Sequence, residues 1–275
     1  PLRPGLADQR DLGGNGTHIH TGKIQLLFLL ITGTSCFSYS HWYSSFYPKN
    51  LPSSKMINFY AKNFKTVEIN SSFYHLPKPK TIENWKNQVP KDFIFSFKMP
   101  RFITHFGKLD PKEKSFPLFF EALKPVKENG PHLILIQLPA NFHLNLEKLK
   151  IFLKNLPKNF FYAFEFRHPS WFSKDVFKLL MEKNASVVLS DSPVKKDEAR
   201  LWPYFEVETA NFFYIRFHGS KQLFTSSYSD NELKSYTKLI KEKLKKGLKV
   251  FAYFNNDALG YAVENAKRLI AFVNG

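Results

Sequence analysis

Short stretches in which apolar and polar residues alternate punctuate this chain, and stretches of helical period separate them. In residues 161–167, Tyr162, Phe164 and Phe166 alternate with Ala163, Glu165 and Arg167. A strand there turns its rings one way and an acid and a guanidinium the other. The same alternation sets Val67 and Ile69 against Glu68 and Asn70, and three phenylalanines of residues 93–98 against Ser96 and Lys98. Residues 212–218 oppose Phe213, Ile215 and Phe217 to Tyr214, Arg216 and His218, and residues 249–255 bring Tyr253 and Asn255 to one face. Apolar runs at 27–34, 132–138 and 186–191 read as buried strands, the last two carrying Gln137 and Asp191 near their ends.

Between these strands the pattern predicts helices over 53–63, 81–88, 116–128, 146–156, 173–184 and 230–246, with Gly247 just past the last of them. Pro117 and Pro125 perturb the third. A final helix runs to residue 273, with Asp257 as its expected N-cap. The connection between strands six and seven, which contains Trp202, has no helical period.

Strands alternating with helices pair in parallel. Eight such units in about 245 residues match a single (β/α)8 TIM barrel, an α/β fold with one irregular connection between strands six and seven. One strand face then meets the helices and the other fills the barrel, which explains polar residues inside nearly every strand. An open doubly wound sheet does not call for them, and no Gly-rich dinucleotide fingerprint follows strand one. Residues 1–23 lack periodicity and read as a disordered or non-native extension, where His18 and His20 are incidental, and residues 24–275 as the barrel domain.

With 275 residues, 43% of them hydrophobic, the chain can bury one large core. Its single cysteine, Cys36, rules out an intramolecular disulfide and fits a reducing compartment, so a cytoplasmic location is expected. The longest apolar run, residues 26–31, is too short to span a bilayer, and no membrane partner is expected. The net charge of +17 comes largely from lysines scattered over helix faces, as in residues 241–246. Only the basic groups at strand ends bear on function.

Ten segments carry a family resemblance: 33–39 (GTSCFSY), 46–48 (FYP), 66–74 (TVEINSSFY), 95–98 (FSFK), 103–105 (ITH), 137–139 (QLP), 164–171 (FEFRHPSW), 191–193 (DSP), 214–219 (YIRFHG) and 253–257 (YFNND). In order and position they resemble the YecE-like family, domain of unknown function 72, over roughly residues 31–272. The resemblance implies a TIM barrel and no established activity. The sequence departs from the family at Cys36, where glycine is usual, and before residue 24, which has no counterpart.

In a barrel, chemistry gathers at the C-terminal rim. The rim and inward positions collect Glu68, Asn70, Lys98, Gln137, Glu165, Arg167, Asp191, Tyr214, Arg216, His218, Tyr253 and Asn255, with His168 and Asn256 at adjoining turns. Part of this set serves as an internal charge layer, because buried charges persist only when paired. The loops after strands seven and eight, the usual phosphate site of the fold, read His218-Gly-Ser-Lys221 and Asn255-Asn-Asp257.

The first expectation is therefore a phosphate-bearing ligand, a nucleotide or nucleic acid, held by Lys98, Arg167, Arg216 and Lys221. Glu68, Asn70, Tyr253 and Asn255 would line the site, and Trp42, Tyr43, Phe73, Tyr74 and Trp171 would offer stacking faces. In a hydrolytic version Glu165 or Asp191 activates water and His218 or His168 donates a proton. A second expectation groups Glu165, Asp191, His168 and His218 around one or two divalent metal ions, in a hydrolase or isomerase. A third pairs Glu68 with Glu165 as glycosidase carboxylates. A fourth is a non-enzymatic ligand-binding protein.

Overall fold

The computed structural model describes residues 29–127, 130–194 and 200–275. The extension at 1–23, with His18 and His20, and the start of the first expected strand lie outside the described residues. Eight parallel strands are present: β1 (Leu30–Thr34), β2 (Thr66–Ile69), β3 (Ile94–Lys98), β4 (His132–Gln137), β5 (Phe160–Glu165), β6 (Ser186–Asp191), β7 (Phe212–Phe217) and β8 (Lys249–Phe254). Their order, β1-β8-β7-β6-β5-β4-β3-β2, leaves β1 and β2 as the ends. These meet through one bridge, Ser35 to Glu68, beside which the Cys36 N–H donates to Glu68 O at 2.7 Å. The result is a nearly closed α/β barrel.

Two residues shape that seam. A Cβ on Gly33 would stand 2.2 Å from the Thr66 carbonyl oxygen, so only glycine lets β1 approach β2 this closely. Cys36 sits at φ 90°, a region that glycine enters freely and cysteine does not.

The helices are α1 (Met56–Ala61), α2 (Ser71–Tyr74), α3 (Pro79–Lys86), α4 (Ser115–Ala122), α5 (Leu146–Asn155), α6 (Lys174–Lys183), α7 (Asp230–Lys245) and α8 (Tyr261–Asn274). Local chemistry sets their ends. Ser229 and Glu232 close a capping box on α7, and Ser173 caps α6. The helix expected over 116–128 stops at Ala122 and gives way to a 3-10 turn, Lys124–Val126, because Pro125 cannot continue it. Asp257 does not cap α8, which starts after Gly260 at φ 76°. Among the described residues no helix lies between β6 and β7, only a bridge from Val194 to Arg200. No helix of the described residues is long and apolar enough to cross a membrane.

Two apolar layers follow from the alternation. Val67, Phe97, Ile136 and Phe164 face outward and pack with the helices. Ile31, Leu133, Phe212 and Phe251 face inward and plug the barrel interior, together with Tyr214 and Tyr253. The hydroxyls of those two tyrosines are the first polar groups met by the layer of charge within the barrel.

Candidate functional site at the barrel mouth

Inward positions of β2, β5 and β7 converge. Arg216 donates through Nη2 to Glu68 Oε1 at 2.6 Å and through Nε to Glu68 Oε2 at 3.0 Å, and through Nη1 to Glu165 Oε2 at 2.6 Å. One guanidinium thus bridges two carboxylates, using the forked geometry that arginine offers and lysine lacks. Ser35 and Tyr214 complete Glu68 at 2.7 and 2.8 Å. Glu165 Oε1 receives Arg167 Nη2 at 2.6 Å, Ser190 Oγ at 2.8 Å and His218 Nε2 at 3.1 Å. Tyr214 and Tyr253 hydroxyls contact Ser96 and Thr66 at 2.8 and 2.7 Å.

The charges follow from this packing. Burial alone would raise the Glu165 carboxyl, but Arg167 and Arg216 outweigh it and hold the group well below the usual range. Burial and the Arg216 charge push His218 down to about 3, so the ring is neutral at physiological pH. Asn255 Nδ2 lies 3.1 Å from His218 Nδ1. This fits a ring that accepts from Asn255 and donates its Nε2 proton to Glu165. Burial brings Arg167 down to about 10, where it stays cationic.

Lys98, at the end of β3, is the exception in this layer. Its ammonium stands 4.1 Å over the Phe73 ring and forms no ion pair among the described residues. Burial, then Arg216, lowers it to about 7 despite Glu165 and Glu68. Arg167 is also incompletely used. With its side chain 5% exposed and the Trp202 ring 3.1 Å from Cζ, its Nε and Nη1 have no partner. Asn70 Oδ1 is buried and unpartnered as well.

A cavity of about 360 Å³ opens above this layer, lined by Tyr39, His41, Asn70, Tyr74, Lys98 and Asn255, with Phe224, Asp257 and Ala258. The Asp257 carboxylate receives Trp42 Nε1 at 2.9 Å and contacts His41 Nε2 at 2.9 Å. Burial pushes Asp257 up to about 6. His41, Asp257 (quoted there only as part of the loop after strand eight), Tyr39 and Trp202 were given no role at the expected site. One signal could have found the first three: β1 and β8 are neighbours in a closed barrel, so the loops that follow them must meet.

The structure brings Glu68, Glu165, Arg167, Arg216 and His218 together, with Tyr253 beneath, and Lys98, Asn70, Asn255 and Tyr74 at the cavity above. Other expectations need correction. Asp191 lies on the outer face of β6, where it pairs with Arg200 and receives Tyr228 OH at 2.5 Å. It cannot converge with Glu165, which takes Ser190 from the inner face. His168 stacks on His143 at 3.9 Å and contacts Ser170 Oγ at 2.8 Å. The expected set for a metal is therefore divided, and among the described residues no group of three or more His, Cys, Asp or Glu side chains is arranged to hold a metal ion.

Trp171 is fully buried, stacked on Phe166 at 5.1 Å, with its indole donating to Phe142 O, so it offers no face to a ligand. Trp42 is buried likewise. Lys221 is exposed and does not line the cavity. Gly219, at φ 98°, serves the chain itself, since a Cβ there would meet Gln222 O at 2.4 Å. Glu165 and Glu68 have their acceptors filled, which removes them as water-activating base or glycosidase pair, and Arg216 is committed to both. Neutral His218 is not a ready proton donor.

A nearly closed (β/α)8 barrel with an ion-paired interior and a polar cavity at its mouth is the class that fold and site define. The model of a family described as Protein of unknown function DUF72 matches residues 31–275, and the chain belongs to that family. The UPF0759 protein YecE of Escherichia coli strain K12 is 37% identical over 118 residues, a stretch spanning 42% of this chain and 42% of that protein's length. The UPF0759 protein YunF of Bacillus subtilis is 26% identical over 258 residues, 84% of this chain and 91% of that protein. A DUF72 family protein from Thermotoga maritima has a similar solved structure, with a TM-score of 0.76 and 28% identity over 90% of this chain and 100% of that one. A second, from Enterococcus faecalis, has a TM-score of 0.73 at 21% identity, over 90% of this chain and 96% of that one, and shares the fold.

Proposed function

We propose that the barrel mouth binds a phosphate-bearing ligand, with Lys98 and the unpartnered edge of Arg167 as its cationic contacts. The observation that carries this reading is a charge balance. Two carboxylates, Glu68 and Glu165, are matched by two guanidiniums, Arg167 and Arg216, and Lys98, protonated in about half of the molecules at pH 7, is left without a counterion. N–H groups without acceptors and cations without counterions are costly, and an oxyanion offsets both: half-buried Lys98 lines the cavity, and Arg167, outside its lining, stands within electrostatic reach of Lys98. Asn70 and Asn255 line the same cavity and supply amides for orientation.

Turnover of a phosphate ester here would draw on His41 and Asp257, which border the cavity, rather than on Glu165 and His218, whose bonding capacity is taken up within the barrel. Equilibrium dialysis with a labelled nucleoside monophosphate at low salt, competed by inorganic phosphate, tests the binding reading. Saturable binding that phosphate displaces supports it, and absence of binding ends it.

A further inference from the structure

We infer that the rim beside the mouth is a stacking platform for single-stranded nucleic acid, an inference that rests on the phosphate reading of the mouth and names the class of its ligand. Two short segments build this rim. Helix α2 follows β2, and a single π-helical turn, Phe102–Phe106, follows β3. Such turns are rare, and as bulges within α-helices they are frequent at functional sites. Ser72 Oγ lies 2.8 Å from Ile69 O and 2.7 Å from Lys98 O, which fixes α2 against the end of β3.

From Lys98 a continuous track of rings leads outward. Lys98 Nζ sits over Phe73, and both Tyr74 and His105 meet the Phe73 ring edge-on at 5.0 and 4.9 Å. Beyond them Arg101 Cζ stands 5.8, 5.8 and 5.9 Å from the Tyr74, Phe102 and Phe106 ring centroids. These three rings are 54, 47 and 67% exposed, although phenylalanine elsewhere in the chain is mostly buried. Arg101 Nε has no acceptor.

Rings this exposed contribute little to the core, so packing does not account for them. Their arrangement around a guanidinium complements a polyanion that carries planar faces. Base stacking on aromatic side chains, reinforced by arginine, is how unpaired strands are held without sequence preference. A duplex hides its base faces and gains little from such a surface. Three rings are more than one nucleobase covers. The platform therefore takes two or more successive bases and points a phosphate of the same strand towards Lys98.

The test is fluorescence anisotropy with a labelled single-stranded dT 12-mer and a duplex of equal length, across a salt series. The proteins are the wild type, the F102A/F106A variant, and a control variant, L118A/I151A, altered at exposed apolar residues of α4 and α5. Thermal melts confirm that each is folded. The inference predicts tighter binding of the single strand than of the duplex, a loss of roughly five- to 150-fold in F102A/F106A, and no loss in the control. No binding at low salt, equal affinity for duplex and single strand, or an unchanged F102A/F106A overturns it. Self-association of the wild type that F102A/F106A abolishes, without oligonucleotide binding, also overturns it and makes the face a contact between copies. Nucleoside monophosphate binding in the same proteins separates the two readings. Its absence, with oligonucleotide binding still dependent on Phe102 and Phe106, removes the phosphate reading and leaves the platform standing.

Discussion

Replacing Lys98 with methionine deletes the unmatched charge while keeping an unbranched stem against Phe73. Two opposite effects are expected. A charge-assisted hydrogen bond contributes about 1.5–3 kcal/mol, so Kd for a nucleoside monophosphate should rise by roughly ten- to 150-fold. Stability should move the other way. The folded-state value for Lys98, about 7, lies below the ordinary 10.5, so between these pH values the unfolded chain binds more protons than the folded one. Wild-type stability therefore rises with pH across that window, and Lys98→Met should be the more stable protein at pH 7 and below, the difference closing near pH 10.5.

Binding has its own pH signature. A phosphate monoester is fully ionised above pH 7, so loss of affinity from pH 7 to 9 reports the lysine, with a ceiling of roughly fiftyfold set by the falling protonated fraction. Calorimetric titration at pH 7, 8 and 9, with thermal melts at each pH, measures both. A variant that binds as the wild type does, or wild-type affinity flat over this range, would refute the reasoning.

Three other substitutions probe the frame. Arg216→Ala strands two buried carboxylates and should cost about 3–5 kcal/mol, read by chemical denaturation, so it is a folding variant before it is a binding variant. Cys36→Gly removes a positive-φ cost of about 1–3 kcal/mol while adding unfolded-state freedom of about 0.4–1 kcal/mol, so a net gain should raise Tm by a few degrees. Gly33→Ala should destabilise by about 1–3 kcal/mol or more, because the new methyl meets the Thr66 carbonyl, and an unchanged Tm would mean that the β1–β2 seam is not closed as described.

The barrel was legible because polar residues inside alternating strands have few other uses, and Glu68, Lys98, Glu165 and Arg216 fell on the inner face as the alternation implied. Asp191 did not, for a physical reason. Strand β6 is buried on both faces, so Val187, Val188 and Leu189 carry no alternation, and only the small Ser186 and Ser190 mark the inner side. Asp257 shows a second limit. A carboxylate just before a helix reads as a cap, and its bonds to Trp42 and His41 exist only because the barrel brings residues over two hundred positions apart into contact. Which cation stays unmatched was equally beyond the sequence. It depends on Arg216 reaching both carboxylates at once while Lys98 sits nearer the rim.

Anomalous diffraction from a crystal soaked in tungstate, a heavy stand-in for phosphate, locates anions without any assumption about the natural ligand. The account predicts a peak within hydrogen-bonding distance of Lys98 Nζ, on the side of Arg167 that carries the unpartnered N–H groups, and its disappearance in Lys98→Met. Tungstate bound only to helix-face lysines, with the mouth filled by water, would contradict it.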